Sequence, residues 1–490
     1  MTREINSSYF KHQFEKSGDV LVRPIKIRNE SKLNIYIFCV DGLTNSGLLD
    51  ETILRPISLD INIRQCKNES EVLSYLLEGG AYHAFASETE DVELVLKAVM
   101  SGMAALIFDQ AKKAIIFDVR GFDKRSLQEP QEEGVMKGAK DCFIEVMRSN
   151  TALVRRRIRS EYLVMEQIVI GKLSKTDLTI VYQSNVTDMQ LVDKLKKSLN
   201  SIEIDNIAAP AFVEEFIIDN RRSIFPQAMY TQRPDRFASN ISDGRIGLII
   251  DGIPFAYILP CQLSILMQSP EDYAVNYLVS SSLRILRYMA MILTLFLPAF
   301  YICVTTFQNQ MLPVDLALSI QNAKVNVPFP SFIEVLGLLI AFEILIESGL
   351  RLPKTIGQAM SIVGGLVVGQ AAVAANIISP AVVIIVALTG IAGFTLSNQD
   401  LSNAVRAIRF GLALLASVAG FFGLIVGVIW LLIHLCSMEN YGVAYLSPFV
   451  DCDYGNNSML KYKDVLFRFP VRNYKFRPDK IADQNPRKQK

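Results

Sequence analysis

Residues 33–40 (LNIYIFCV) form an unbroken apolar run closed by Asp41-Gly42, the pattern of a buried strand stopped by a turn. Residues 48–57 follow with helical spacing. The apolar runs 104–108 and 114–119 flank Asp109-Gln110-Ala111-Lys112-Lys113 and predict a hairpin. Residues 141–167 alternate charged and apolar positions at helical spacing. Next come a strand at 178–182 (LTIVY), an amphipathic helix at 187–199 with Thr187 as N-cap, and a second hairpin at 244–259 around Asp251-Gly252. Alternation of strand and helix on this scale favours α/β packing.

Beyond residue 281 the alternation stops. Five long apolar segments take over, at 282–307, 330–349, 357–378, 381–396 and 411–435. Residues 288–307 and 411–435 are long enough at 1.5 Å per residue to cross a hydrocarbon core of about 30 Å. The expected fold is an α/β cytoplasmic N-terminal region of two subdomains followed by an α-helical polytopic membrane domain. Its expected parts are a flexible leader (1–32), soluble subdomains (33–126 and 127–281), the transmembrane helices (282–435) and a basic cytoplasmic tail (436–490).

Composition adds little. Of 490 residues, 50 are basic and 49 acidic, so global charge points to neither nucleic acid nor a polyanionic substrate. The polar start shows no apolar h-region, so the head is expected to be cytoplasmic. Seven scattered cysteines, without CxxC pairs, suggest neither zinc nor a disulfide framework. His12, His83 and His434 are far apart, and no nucleophile elbow, Walker loop or metalloprotease motif occurs, so no catalytic site, metal or cofactor is expected. The densest basic run of the head, Arg155-Arg156-Arg157 with Arg159, reads as a solvated helix face or as a contact for acidic headgroups or a partner.

Two cytoplasmic ends require an even number of crossings, because the lysines and arginines beyond residue 460 hold the tail inside as well. Residues 330–349 are the expected non-spanning segment, since they carry Glu334, Glu343 and Glu347. This arrangement leaves Arg406 and Arg409 outside, against the same charge rule. The three carboxylates suit either interfacial solvation with a pair to Arg351 or a cation-attracting vestibule.

The most informative segment is 357–376, GQAMSIVGGLVVGQAAVAAN. Steps of three and four place Gln358, Ser361, Gly365, Val368, Gly369, Ala372 and Asn376 on one small or polar face. Such a stripe serves close helix packing, or it lines a pore in which several copies meet, with Val368 as a hydrophobic constriction.

Residues 328–394, PFPSFIEVLGLLIAFEILIESGLRLPKTIGQAMSIVGGLVVGQAAVAANIISPAVVIIVALTGIAGF, closely resemble the membrane core of the A subunits of GerA-type spore germinant receptors. Glu129-Pro130, residues 150–158 (NTALVRRRI), Arg233-Pro234-Asp235, Asp251-Gly252 with Pro254, Pro270-Glu271-Asp272-Tyr273, Tyr441-Gly442-Val443 and residues 445–449 (YLSPF) resemble the family's recurring motifs. The chain departs from the family pattern at Ile346-Glu347-Ser348-Gly349 and at Gln232.

The resemblance implies a multi-pass protein of the spore inner membrane, acting with a transporter-like B subunit and a lipoprotein C subunit. It also implies a homo-oligomer among membrane lipids that answers small nutrients and releases ions. A secondary transporter using Glu343 or Glu347 as proton carrier, and a non-conducting scaffold subunit, are the alternatives.

Overall fold

The computed structural model describes residues 4–27, 33–121, 133–135, 137–351, 369–450, 464–473 and 477. The chain divides into two compact units. One comprises Met1–Asp219, Ala228–Pro260 and Arg472–Lys490; the other comprises Asn220–Gln227 and Cys261–Val471.

The first unit repeats one motif twice. Its first copy runs α1 (Ser7–Phe14), β1 (Val20–Lys26), β2 (Asn34–Val40), β3 (Ala86–Thr89), α2 (Val92–Met100), β4 (Ala104–Phe108) and β5 (Lys113–Phe117), with short helices between β2 and β3. The second runs α3 (Met147–Arg157), β6 (Leu163–Ile170), β7 (Thr176–Gln183), α4 (Met189–Asn200), α5 (Pro210–Ile217), β8 (Met229–Thr231), α6 (Pro234–Ser242), β9 (Ile246–Ile250) and β10 (Ala256–Leu259). The sheet orders are β1-β2-β4-β5-β3 and β6-β7-β9-β10-β8, the same topology in both copies. Every neighbouring pair is antiparallel.

Both faces of the first sheet are covered, which is why β2 reads as a continuous apolar run. Ile35, Ile37 and Cys39 pack with Ile53, Ile57, Ile63 and Val72 on one side. Phe38 and Val40 pack with Phe10, Phe14, Val95 and Val99 on the other.

Three sequence expectations differ from the structure. The stretch expected as a flexible leader contains α1 and β1. Asn6 caps α1 by accepting from Ser8 N at 2.9 Å, and Phe10 and Phe14 bury against the sheet. The helical reading of 141–167 holds only for Met147–Arg157, because Leu163–Ile170 is a strand paired along its full length with β7. The cap of α4 is Asp188, whose side chain accepts from Gln190 N at 2.9 Å, rather than Thr187.

The second unit is built on α7 (Tyr277–Thr306), α8 (Val314–Lys324), α9 (Ser331–Arg351), α10 (Pro380–Phe394) and α11 (Gln399–Ser437). α7 and α11 are long and apolar enough to cross a membrane. Both leave large apolar side chains uncovered, among them Leu286, Met289 and Ile292 on α7 and Val418, Phe422, Ile429 and Ile433 on α11. Such a surface is a liability in water and fits a hydrocarbon environment.

Candidate functional site

The stripe expected at 357–376 is described only from residue 369 onward; Gln358, Ser361, Gly365 and Val368 lie outside the described residues. Gly369 is buried, and a Cβ built on it would lie 3.5 Å from Val383 Cγ1 of α10, so this position packs against its own chain. Ala372 is half-buried.

Asn376 is exposed at φ 53° and ends the helix. Its N–H donates to Val373 O at 3.0 Å, and Ile377 N–H donates to Ala372 O at 2.9 Å. These two bonds form a Schellman closure, with asparagine at the left-handed position that glycine usually takes. An asparagine just past an apolar helix and ahead of Ser379-Pro380 is the sequence signal for it.

The three carboxylates of α9 are not gathered into one vestibule. Glu334 is 2% exposed, lies 3.1 Å from Lys324 Nζ and accepts from Ser379 N at 2.7 Å, so it clamps the turn that starts α10. Glu343 lies 3.0 Å from Arg406 and 3.4 Å from Arg409, the latter 1% exposed. Glu347 is exposed. Arg406 and Arg409, which looked misplaced for topology, therefore both face Glu343 inside the helical unit.

A second polar cluster, not foreseen from sequence, sits where α7 begins. Ser269 and Asp272 form a reciprocal capping box around Pro270–Tyr273. Asp272, fully buried, accepts from Arg284 Nε at 2.9 Å and from both terminal nitrogens of Arg287. Arg284 also donates to Asp464 Oδ1 at 2.8 Å, and Tyr273 donates to Asp464 Oδ2 at 2.6 Å. Arg468 donates to the carbonyls of Asp272, Tyr273 and Val275. Asp464 and Arg468 are thus strapped to the start of α7, and Arg468 is no free tail charge. Two arginines three apart at the head of an apolar helix, shortly after Pro-Glu-Asp-Tyr, were the available signal.

In the first unit the basic run is not a uniform solvated face. Arg155 is fully buried against Asp19, and Arg157 pairs with Asp141 at 2.5 Å. Arg233 is 2% exposed, pairs with Asp235 at 2.7 Å and donates to the carbonyls of Glu133 and Ala139. Asp251 accepts from Met147 N at 3.0 Å, holding the start of α3 beside the β9–β10 turn. The resembling motifs are in these places structural nodes; Glu129-Pro130 lies outside the described residues. Among the described residues no group of acidic, histidine and cysteine side chains is placed to hold a metal ion.

Comparison with known proteins places this architecture. A family model described as Bacillus/Clostridium GerA spore germination protein matches residues 8–480. Spore germination protein KA of Bacillus subtilis (strain 168) is 35% identical over 480 residues, covering 98% of this chain and 87% of that protein. The uncharacterized membrane protein YfkQ of the same organism is 38% identical over 477 residues, covering 97% of this chain and 90% of that one. A crystal structure of the N-terminal domain of the A subunit of the Bacillus megaterium spore germinant receptor GerK3 aligns with 53% of this chain and 97% of that one, at 26% identity and a TM-score of 0.43.

Proposed function

The chain belongs to the Bacillus/Clostridium GerA spore germination family as a germinant receptor A subunit, and from that premise we propose that it oligomerises into a nutrient-gated cation channel of the spore inner membrane. The N-terminal region is cytoplasmic in this reading. A transporter-like B subunit and a lipoprotein C subunit complete the receptor, and the germinant binds here or on the B subunit.

The observation that carries the channel reading is the small and polar stripe of Gln358, Ser361, Gly365, Val368 and Ala372 in a segment otherwise suited to lipid. For Gly369, the approach of Val383 on α10 supports the helix-packing reading. Glu343, held by two arginines, has the arrangement of a fixed ion cluster and gives little support to the transporter alternative.

Val368→Ala widens and wets the constriction, and Gly365→Leu blocks or splays it. Spores carrying either variant are expected to show altered germinant thresholds and altered ion release. Unchanged thresholds and unchanged release in both would refute the pore and leave a non-conducting scaffold.

A further inference from the structure

We infer that α11 crosses the bilayer twice, as a helical hairpin turning at Gly420, and not once. A straight helix of its 39 residues would be about 58 Å long, nearly twice a hydrocarbon core of about 30 Å. The helix is interrupted at Gly420, whose backbone stands at φ 59° and ψ −138°, a conformation that no right-handed helix contains and that residues with a Cβ avoid.

The arms on either side of that break touch each other. A Cβ on Gly423 would lie 2.1 Å from the carbonyl oxygen of Leu415, and a Cβ on Gly427 would lie 2.7 Å from Leu412 Cδ2 and 2.9 Å from Leu415 Cδ1. In a straight helix, residues 8 and 15 positions apart are separated by about 12 and 22 Å. Contact at those spacings requires the chain to double back, and only glycine lets the second arm come so near.

The rest of the unit fixes the direction of both arms. The turn lies at the far end of α7: a Cβ on Gly420 would be 2.8 Å from Phe307, the residue closing that helix, and the Phe421 ring is 5.6 Å from Phe300. The two open ends lie beside the segment that leads into α7. Ser397 Oγ donates to Leu266 O at 2.8 Å, Leu263 N donates to Tyr445 O at 3.0 Å, and Ser264 Oγ donates to Ser447 O at 3.4 Å. The arms, residues 399–419 and 421–437, are about 31 and 25 Å long, each close to a full crossing. A turn between helices leaves backbone groups unbonded, which favours placing it in the far interface and not in hydrocarbon.

The consequence is topological. The chain entering α7 and the chain leaving α11 are hydrogen-bonded to each other, so they share a face and the number of crossings is even. Residues 330–349 need not be excluded from the membrane to achieve this.

Two measurements on the full-length protein in sealed vesicles test the hairpin. A membrane-impermeant maleimide, with sites mapped by peptide mass, is expected to label Ser397→Cys and native Cys436 from one face and Ala419→Cys from the other. Labelling of Ser397→Cys and Cys436 from opposite faces would overturn the proposal, and so would labelling of all three from one face. Leu412→Cys combined with Gly427→Cys is expected to form an intrachain disulfide on mild oxidation, lost when either cysteine is absent. No crosslink in protein that passes the labelling control would equally overturn it.

Discussion

Arg155 and Asp19, 136 residues apart in sequence, meet in a two-pronged ion pair. Arg155 Nε donates at 2.8 Å and Nη2 at 2.9 Å, with both side chains 5% exposed or less. Nη1 donates to Leu163 O at 2.9 Å and Ser160 O at 3.3 Å. The pair ties α3, the opening helix of the second copy, to the loop between α1 and β1 of the first. Removing one partner of a buried pair strands the other charge. Asp19→Ala is therefore expected to cost about 3–5 kcal/mol in denaturant unfolding of the first unit. Exposed Arg159→Ala is expected to stay within about 0.5 kcal/mol.

The cluster at the head of α7 predicts a pH dependence. Burial alone would raise the Asp272 carboxyl, but the hydrogen bonds and charges of Arg287, then Arg284, outweigh it and hold the carboxyl below its ordinary value. A carboxyl whose folded value is depressed adds stability above its unfolded value, about 3.9, and that stability is lost as pH falls through the folded one. Thermal unfolding of the helical unit is expected to drop in midpoint as pH is lowered from about 5 to 3. Asp272→Asn is expected to flatten that slope while lowering the midpoint at pH 7. A variant that keeps the full slope would remove Asp272 as its source.

Much of the fold was legible because its signal is local. The apolar runs of β2, β4, β5, β7, β9 and β10, and the turns at Asp41-Gly42 and Asp251-Gly252, announce themselves within a few residues. What stayed hidden was set by distant partners. β6 (LVMEQIVI) has spacing that suits a helix as well as a strand, and only its pairing with β7 decides. α1 looked like a loose leader because Phe10 and Phe14 gain their meaning from a sheet that follows them. The duplication is written in strand order. At the candidate site, the stripe and the acidic helix could be seen in sequence. The partners of Glu334, Glu343 and Arg284 could not, since each lies on another element. The spacing of Gly420, Gly423 and Gly427 suits close helix packing as well as a hairpin, and nothing in it announces a turn.

Thiol reactivity separates the buried from the accessible cysteines. Burial, with Asp41 and Asp50 nearby, pushes the Cys39 thiol up to about 11. At pH 8 its thiolate fraction is then about two orders of magnitude below that of an ordinary thiol. Iodoacetamide followed by peptide mass analysis is expected to leave Cys39 unmodified in folded protein and to modify it fully in denaturant, while exposed Cys436 reacts in both. Equal rates at Cys39 before and after unfolding would contradict the buried strand.

Asn376 offers a test that separates two roles by choice of substitution. Its left-handed backbone and the closure through Val373 and Ala372 need a residue that tolerates positive φ. An ion-solvating role needs the carboxamide. Asn376→Gly preserves the backbone and removes the amide, whereas Asn376→Ala opposes the backbone at about 1 kcal/mol. If the position is a helix terminator, the glycine variant keeps wild-type stability and ion release, and the alanine variant loses stability with little other change. If the amide contacts ions, the two variants alter ion release alike although only alanine is destabilised. Thermal melts of purified protein together with ion release from variant spores distinguish these outcomes, and the observed closure favours the first.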